Sequence, residues 1–454
     1  MGRFDPIYAR LPVAAQHAAV TAYGAYWHWL RFGPGYRRHV RGYVERESWD
    51  AGRMRDWQRK ELTSLLASAL DVDYYQRAWT ASQKKAAAAG VLEELPLLEK
   101  DPIRARPASF LISGRVPRTY MFPTSGSTGT PISTIWTADE IRKSIALREV
   151  RSLRYAGVSF ALPRATFSGR MVEPDPNSSG PYYRYNAFER QVYLSPFHLS
   201  AATAPKYVAA LRRWKVEWCT GYAVSYYLLA RFMLDQRLEA PPLKAIITTS
   251  EKLTPEMRDV MVRAYQCRVF EEYSTVESAL FASECPVGKL HVSPDAGLVE
   301  ILRPDGRPCA PGEVGEVVAT SLVRTHQLFI RYRLGDLACW DTTPCVCGRA
   351  TPVIAEVVGR VEDVVTGPDG RQMVRFHGIF INQPNVREGQ IVQEDRDRIR
   401  VCVVPSNGFS QLDADEIVAR VRQRLGPGMA VTVETVDSIP RTAAGKFKAV
   451  ISHV

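Results

Sequence analysis

The sequence predicts an α/β protein. A large, multi-part N-terminal body with parallel sheets and a β-hairpin region is followed by a small α+β domain. Three observations predict this. Short β-rich runs alternate with helical segments from residue 118 onward. Turn-punctuated runs between Leu298 and Thr320 read as antiparallel hairpins, with turns at Gly306, Pro311-Gly312 and Gly315. A β–β–α–β pattern fills residues 361–454.

The elements follow in order. Residues 10–70 read as helices packed on the larger body, because Met54, Trp57, Leu62, Leu65 and Leu66 recur at helical spacing. Residues 13–30 are rich in alanine and aromatics, including Tyr23, Tyr26, Trp27 and Trp29. They read as a packed helix, with contact to a membrane surface as the second reading. Strands are expected at Thr119–Phe122, Val216–Thr220, Ala245–Thr248, Val269–Glu272 and Glu316–Thr320. Helices are expected between them at Pro205–Trp214 and Pro255–Tyr265. A boundary after residue 358 separates a body of residues 1–358 from a small domain of residues 361–454. That domain carries Ile391–Gln393, Ile399–Val404, a helix Asp413–Leu425 and Val431–Val436.

Composition narrows the function classes. The chain has 454 residues, 46% of them hydrophobic and 24% charged, which is ordinary for a globular protein and excludes disorder as its main state. No run reaches the ~18 uncharged apolar residues of a membrane span. The start lacks a basic-then-apolar leader, so a cytoplasmic protein is expected. The net charge of +11 favours polyanionic partners, yet the basic residues are scattered and no nucleic-acid motif emerges. Nucleic acid is therefore not an expected partner. Eight cysteines in so long a chain do not form a secreted disulfide framework, and Cys219, Cys267, Cys309 and Cys402 read as small core residues.

Five segments carry chemistry. Thr124-Ser125-Gly126-Ser127-Thr128-Gly129, continuing to Pro131, follows a strand. Its glycines, amides and hydroxyls suit wrapping a phosphate, although such a run also serves as a plain flexible loop. Glu271-Glu272-Tyr273-Ser-Thr-Val-Glu277 offers a tyrosine to stack on a base and a carboxylate for a hard cation such as Mg²⁺; otherwise it is a solvated strand end. Arg331-Tyr-Arg-Leu-Gly-Asp336 places a carboxylate where it can accept from two ribose hydroxyls, or where a Gly-Asp turn needs one. Gly359-Arg360-Val-Glu362-Asp reads as a charged hinge or a solvated linker. Pro440-Arg-Thr-Ala-Ala-Gly-Lys446 sets a lysine on a flexible turn.

Taken together in this order, the segments resemble the adenylate-forming superfamily. Within it the chain is similar to the phenylacetate-CoA ligase family, most of all to its CapK-type branch. Leu95-Pro-Leu-Leu-Glu-Lys100, Leu194-Ser-Pro-Phe-His-Leu199, Gly221-Tyr222 and Gln390-Ile-Val-Gln393 extend the resemblance over the whole chain. It implies an ATP phosphate loop at residues 124–131, an adenine site lined by Ser250-Glu251-Lys252 and Glu272-Tyr273, and Mg²⁺ on Glu277. Asp336 would hold the ribose and Arg360 would lie near ribose or phosphate. The small mobile domain would rotate about Glu362, Lys446 would complete the first half-reaction, and His198 would stand beside the acyl pocket.

Three positions depart from the family pattern: Ile132 replaces a lysine, Ser274 a glycine and Val276 a threonine. Cys285-x5-His291 and Cys345-Val-Cys347 supply three thiolates and one imidazole, the set zinc prefers in closed structural sites. The resemblance places a Cys/His cluster at the same four positions. Cys339 is a substitute ligand in this reading, and free thiols are its rival.

The implied function is ATP-dependent activation of a small-molecule carboxylate to an acyl-adenylate, then transfer to CoA. Transfer to an amine, or a non-catalytic nucleotide-binding role, stands as the alternative. Phe160, Phe167, Phe197, Tyr222 and Tyr226 suit an aryl-acid pocket, and equally suit an ordinary core.

Overall fold

The structure is a computed structural model that describes residues 5–114, 117–123, 132–169, 172–175, 177–251, 253–358, 365–373, 377–380, 383, 385–405, 408–437, 439 and 450–454. Helices α1 (Val13–Phe32), α2 (Tyr36–Glu47) and α3 (Ala51–Ala69) open the fold. A hairpin of Thr119–Pro123 with Ser133–Thr137 leads into α4 (Ala138–Arg148). Each start has a local cause. Asp50 accepts a hydrogen bond from the Arg53 amide ahead of α3, and Thr137 with Glu140 forms a reciprocal capping pair at α4.

One twelve-stranded sheet organises the body. Its strands are β1 (Arg164–Phe167), β2 (Tyr183–Asn186), β3 (Gln191–Leu194), β4 (Trp218–Gly221), β5 (Ala245–Thr249), β6 (Arg268–Ser274), β7 (Phe281–Glu284), β8 (Leu290–Val292), β9 (Gly297–Leu302), β10 (Gly315–Ser321), β11 (Tyr332–Trp340) and β12 (Val353–Val357). Their spatial order is β9-β10-β11-β12-β8-β7-β6-β5-β4-β1-β3-β2. The five expected strands and both expected helices form, α5 at Ala204–Arg213 and α7 at Pro255–Tyr265, with α6 (Ala223–Asp235) between them. The sheet is mixed rather than largely parallel. Pairing is parallel only across β3-β1-β4-β5-β6 and antiparallel everywhere else.

The parallel part explains where a site can form. Helical crossovers lay α5, α6 and α7 on the sheet, and Val192, Cys219, Tyr226, Met261 and Tyr265 bury one core between them. Carboxyl ends of parallel strands then open as a crevice at Gly221, Thr249 and Ser274. Gly221 has φ +128°, and a Cβ there would lie 1.9 Å from the Phe167 carbonyl oxygen, so only glycine closes β4 against β1.

Residues beyond 365 build a separate sheet with its own apolar core of Ile391, Ile399, Val401, Ile417, Val421 and Leu425. Its strands are β13 (Val386–Asp395), β14 (Arg398–Pro405), β15 (Ala430–Thr435) and β16 (Val450–Ser452), ordered β15-β14-β13-β16, with α8 (Gln411–Leu425) between β14 and β15. The β–β–α–β expectation holds, and β16 adds a parallel edge to it. Among the described residues, no helix is long and apolar enough to cross a membrane.

Candidate active site

The crevice at the carboxyl ends of β5 and β6 collects the second and third sequence segments. The Tyr273 hydroxyl, near the end of β6, donates to Asp336 Oδ2 at 2.9 Å. In return the Tyr332 hydroxyl, from the Asp336 segment, donates to Glu277 Oε1 at 2.8 Å. Two stretches more than fifty residues apart are thus tied twice, each giving the other a tyrosine and taking a carboxylate. Glu277 is buried, and a buried carboxylate needs such a donor.

The backbone presents Asp336 by a bulge. The register of β11 against β10 shifts between Arg333 and Leu337, and Gly335 takes φ +77° there. The Leu334 carbonyl accepts from Lys100 Nζ at 2.8 Å, which gives the Leu-Pro-Leu-Leu-Glu-Lys segment a structural task. Ser250 and Ser278 also have positive φ, +74° and +51°, and both adjoin expected site residues.

Glu272 is buried and held by a residue the sequence reading misses. Arg148, the last residue of α4, directs Nε at both Glu272 oxygens at 2.9 Å and Nη2 at Thr220 Oγ1 at 2.6 Å. The guanidinium therefore stitches β4 to β6 just below the crevice. Glu271 accepts from the Leu253 amide at 3.1 Å and so fixes the loop carrying Ser250 and Glu251.

His198 has a different setting. Its Nδ1 meets Ser195 Oγ at 2.8 Å, and its Nε2 meets the Asp175 carbonyl oxygen at 2.9 Å. A carbonyl only accepts, so Nε2 carries the proton and Nδ1 accepts from the serine. Burial lowers the His198 pKa, and the ring stacks on Tyr182 at 5.2 Å. Both nitrogens are engaged with neighbours, and the ring positions the loop after β3. The C-terminal unit touches the same region. Gln423 donates to the Pro174 carbonyl at 3.3 Å, and the Arg424 guanidinium lies 5.7 Å from the Phe197 ring.

Three of the five aromatics considered for an acyl pocket, Phe160, Phe167 and Tyr226, pack in the core. Phe167 packs edge-on against Tyr226 at 4.9 Å, and the Tyr226 hydroxyl bonds the Ala165 and Thr220 carbonyls. Phe160 packs on Trp218 beneath Arg148. Ile132 is buried in the main core, which accounts for an apolar residue where the family pattern has lysine. Val276 is exposed. The phosphate-loop residues 124–131, Lys252, Arg360, Glu362 and Lys446 lie outside the described residues.

A second cluster forms farther along the same two stretches. Cys285, His291, Cys345 and Cys347 bring their ligand atoms within 4.8 Å of one another. Cys285 and Cys345 sulfurs are 3.7 Å apart, and Cys347 Sγ is 3.4 Å from His291 Nε2. Zinc bonds of about 2.3 Å to sulfur and 2.0 Å to nitrogen give tetrahedral edges of about 3.8 and 3.5 Å. These two edges of the cluster match those of a zinc tetrahedron. His291 Nδ1 meets Thr351 Oγ1 at 2.8 Å, which turns Nε2 toward the thiols. Burial and then the Arg349 charge lower the His291 pKa to about 4, so the ring is neutral near neutral pH. Cys339 lies on β11 opposite Glu356 and is not in the cluster.

The chain is similar to several known proteins. Residues 368–453 match the CapK C-terminal domain family. Protein CapK of Staphylococcus aureus is 26% identical over 388 residues, 82% of this chain and 82% of that protein. A phenylacetate-coenzyme A ligase of Thermus thermophilus is 26% identical over 192 residues, 36% of this chain and 42% of its own. Among solved structures, 2-hydroxyisobutyryl-CoA ligase with 2-HIB-AMP and CoA in the thioesterification state aligns with TM-score 0.59 and 22% identity. That alignment covers 90% of this chain and 91% of the other. The chain thus has the fold of 2-hydroxyisobutyryl-CoA ligase and counts CapK and a phenylacetate-CoA ligase among its relatives.

Proposed function

We propose that this relative of CapK, on the adenylate-forming fold, activates a small-molecule carboxylate with ATP and passes the acyl group from the adenylate to CoA. The reciprocal tyrosine–carboxylate tie carries the reading. It links a ring that would stack on a base, a carboxylate that would hold ribose and a carboxylate that would hold a cation near the carboxyl ends of parallel strands, where nucleotides bind in open α/β sheets.

In the first half-reaction a carboxylate oxygen attacks the α-phosphorus of ATP and pyrophosphate leaves. In the second the CoA thiol attacks the acyl carbonyl, losing its proton, and AMP leaves. Positioning and electrostatics supply most of the catalysis. Tyr273 and the Ser250–Glu251 loop would face the adenine, with Glu272 anchored below by Arg148. Asp336 would accept from the ribose hydroxyls. Glu277 would hold Mg²⁺, whose charge offsets that of the phosphates. Thr124 to Gly129 would cradle the phosphates, Arg360 would approach ribose or phosphate, and Lys446 would reach the α-phosphate after rotation of residues 361–454 about Glu362. Structural zinc would sit on Cys285, His291, Cys345 and Cys347. CoA is favoured because the names of the phenylacetate-coenzyme A ligase and the 2-hydroxyisobutyryl-CoA ligase both specify it. The acid is placed no more finely than a small carboxylate, since Phe160, Phe167 and Tyr226 are used in packing.

ATP–pyrophosphate exchange across a panel of acids tests the first half, and product mass with CoA or an amine tests the second. Acid-dependent exchange and a thioester product are expected. Nucleotide binding without exchange would mean a non-catalytic protein, and an amide product would replace CoA with an amine. Lys446→Ala should lower exchange about 100- to 1,000-fold while ATP still binds.

A further inference from the structure

The first long helix presents a surface the activity does not use. From Leu11 to Leu30 there is no Asp, Glu, Lys or Arg. The inner side of α1 packs along β2. His17 Nδ1 accepts from the Tyr185 amide at 2.8 Å, and Thr21 Oγ1 accepts from the Ala187 amide at 3.1 Å, so α1 covers the open edge of β2. Gly24 lies against Asn186, where a Cβ would be 2.1 Å from its amide nitrogen. The helix is therefore held in place with its outer side displayed.

That outer side is alanine and aromatic. Ala19, Ala22, Tyr23 and Tyr26 are exposed at helical spacing, with Trp29 one turn farther on. Tyr23 is 52% exposed, Tyr26 40% and Trp29 56%. Tyrosine and tryptophan rings displayed together are suited to a bilayer interface, where one end of the ring is apolar and the other wet.

Cations flank the face. Arg118 lies 5.6 Å over the Tyr120 ring, and Tyr120 neighbours Tyr26. α2 also packs on α4 beside α1, and its exposed side carries Arg37 and Arg41. Neither makes an ion pair among the described residues, whereas Arg38 shares Asp139 with His39. An anionic surface takes the rings and the arginines together.

We propose that the outer face of α1, with Arg37, Arg41 and Arg118 around it, docks the protein on an anionic lipid bilayer, lying in the headgroup layer without crossing it. Co-sedimentation of the full chain with vesicles tests this, comparing phosphatidylcholine alone with an equal mixture of phosphatidylcholine and phosphatidylglycerol. Strong binding to the mixture, weak binding to phosphatidylcholine and release by salt are expected. The triple variant Tyr23→Ser, Tyr26→Ser, Trp29→Ser should lose more than about tenfold in partitioning. Arg37→Gln and Arg41→Gln should each cost about fivefold. Leu412→Ser, which removes a still more exposed apolar side chain from the C-terminal unit, should bind as the parent does. Pyrophosphate exchange without vesicles should be unchanged in all of them, which reports an intact fold. Equal binding to both vesicle types, or undiminished binding by the triple variant, overturns the proposal. So does self-association in sedimentation velocity that the triple variant abolishes while vesicles bind nothing, since the face would then join two subunits.

Discussion

The same two stretches of chain are fastened together at two places, and the fastenings differ in kind. At one end, Tyr273 with Asp336 and Tyr332 with Glu277 join them through hydroxyl–carboxylate bonds. At the other, Cys285 and His291 meet Cys345 and Cys347 with tetrahedral spacing. The first pair of bonds sits at an open crevice and uses groups that a nucleotide and its cation would engage. The second is suited to a metal that closes all four positions and leaves none for substrate. One fastening is suited to opening during turnover, and the other to holding the segments in register while that happens.

Breaking the permanent fastening should have the largest effect. Cys345→Ser is expected to lose bound zinc and to lower the melting temperature by about 5 °C or more, since removing one ligand forfeits several kcal/mol of metal-linked folding energy. Elemental analysis and calorimetry read both quantities. A strong chelator on the parent protein should reproduce the shift. Full zinc retention in Cys345→Ser would remove that residue from the set.

The crevice fastening should respond the other way, in activity more than in stability. Asp336→Asn keeps the shape but removes the charge from the acceptor, and a charge-assisted bond is worth about 1.5–3 kcal/mol. Exchange activity should fall about tenfold to a hundredfold, mostly through the KM for ATP, with the melting temperature nearly unchanged. Tyr273→Phe should cost less than Asp336→Asn, because it keeps the ring for the base and frees the carboxylate. A large melting-temperature loss in Asp336→Asn would mean the tie is structural and the two fastenings are alike.

Much of this was legible in the sequence for a physical reason. Parallel strands with helical crossovers leave local alternation, and chemistry at strand ends leaves glycine, tyrosine and acid side by side. The Cys/His set was legible because few residue types bind zinc. What pairs across the sheet was not. Strand alternation reports connections along the chain, so Leu298–Thr320 reads as a hairpin region, whereas its strands extend the one twelve-stranded sheet. The sequence assigns Tyr332 no role of its own, and only the fold shows that its hydroxyl supports Glu277. Arg148 ends an ordinary helix, and nothing in its spacing marks it as the partner of Glu272. His198 carried a motif, yet its nitrogens are engaged by Ser195 and the Asp175 carbonyl, groups whose approach depends on tertiary packing.

The smallest expected effect sharpens the comparison most. Thr351 touches no thiol; it meets His291 Nδ1 and so fixes which ring nitrogen faces the cluster. Thr351→Val keeps nearly the same volume and removes the hydroxyl. A ligand imidazole released from its outer partner loses orientation and basicity, which costs about tenfold to a hundredfold in metal affinity. At saturating zinc the melting temperature and exchange activity should match the parent. Competition with a chromophoric chelator should show the weaker binding, and Thr351→Ser should restore it. If Thr351→Val lowered exchange activity at saturating zinc, the two fastenings would be coupled through β8 and β12 rather than independent.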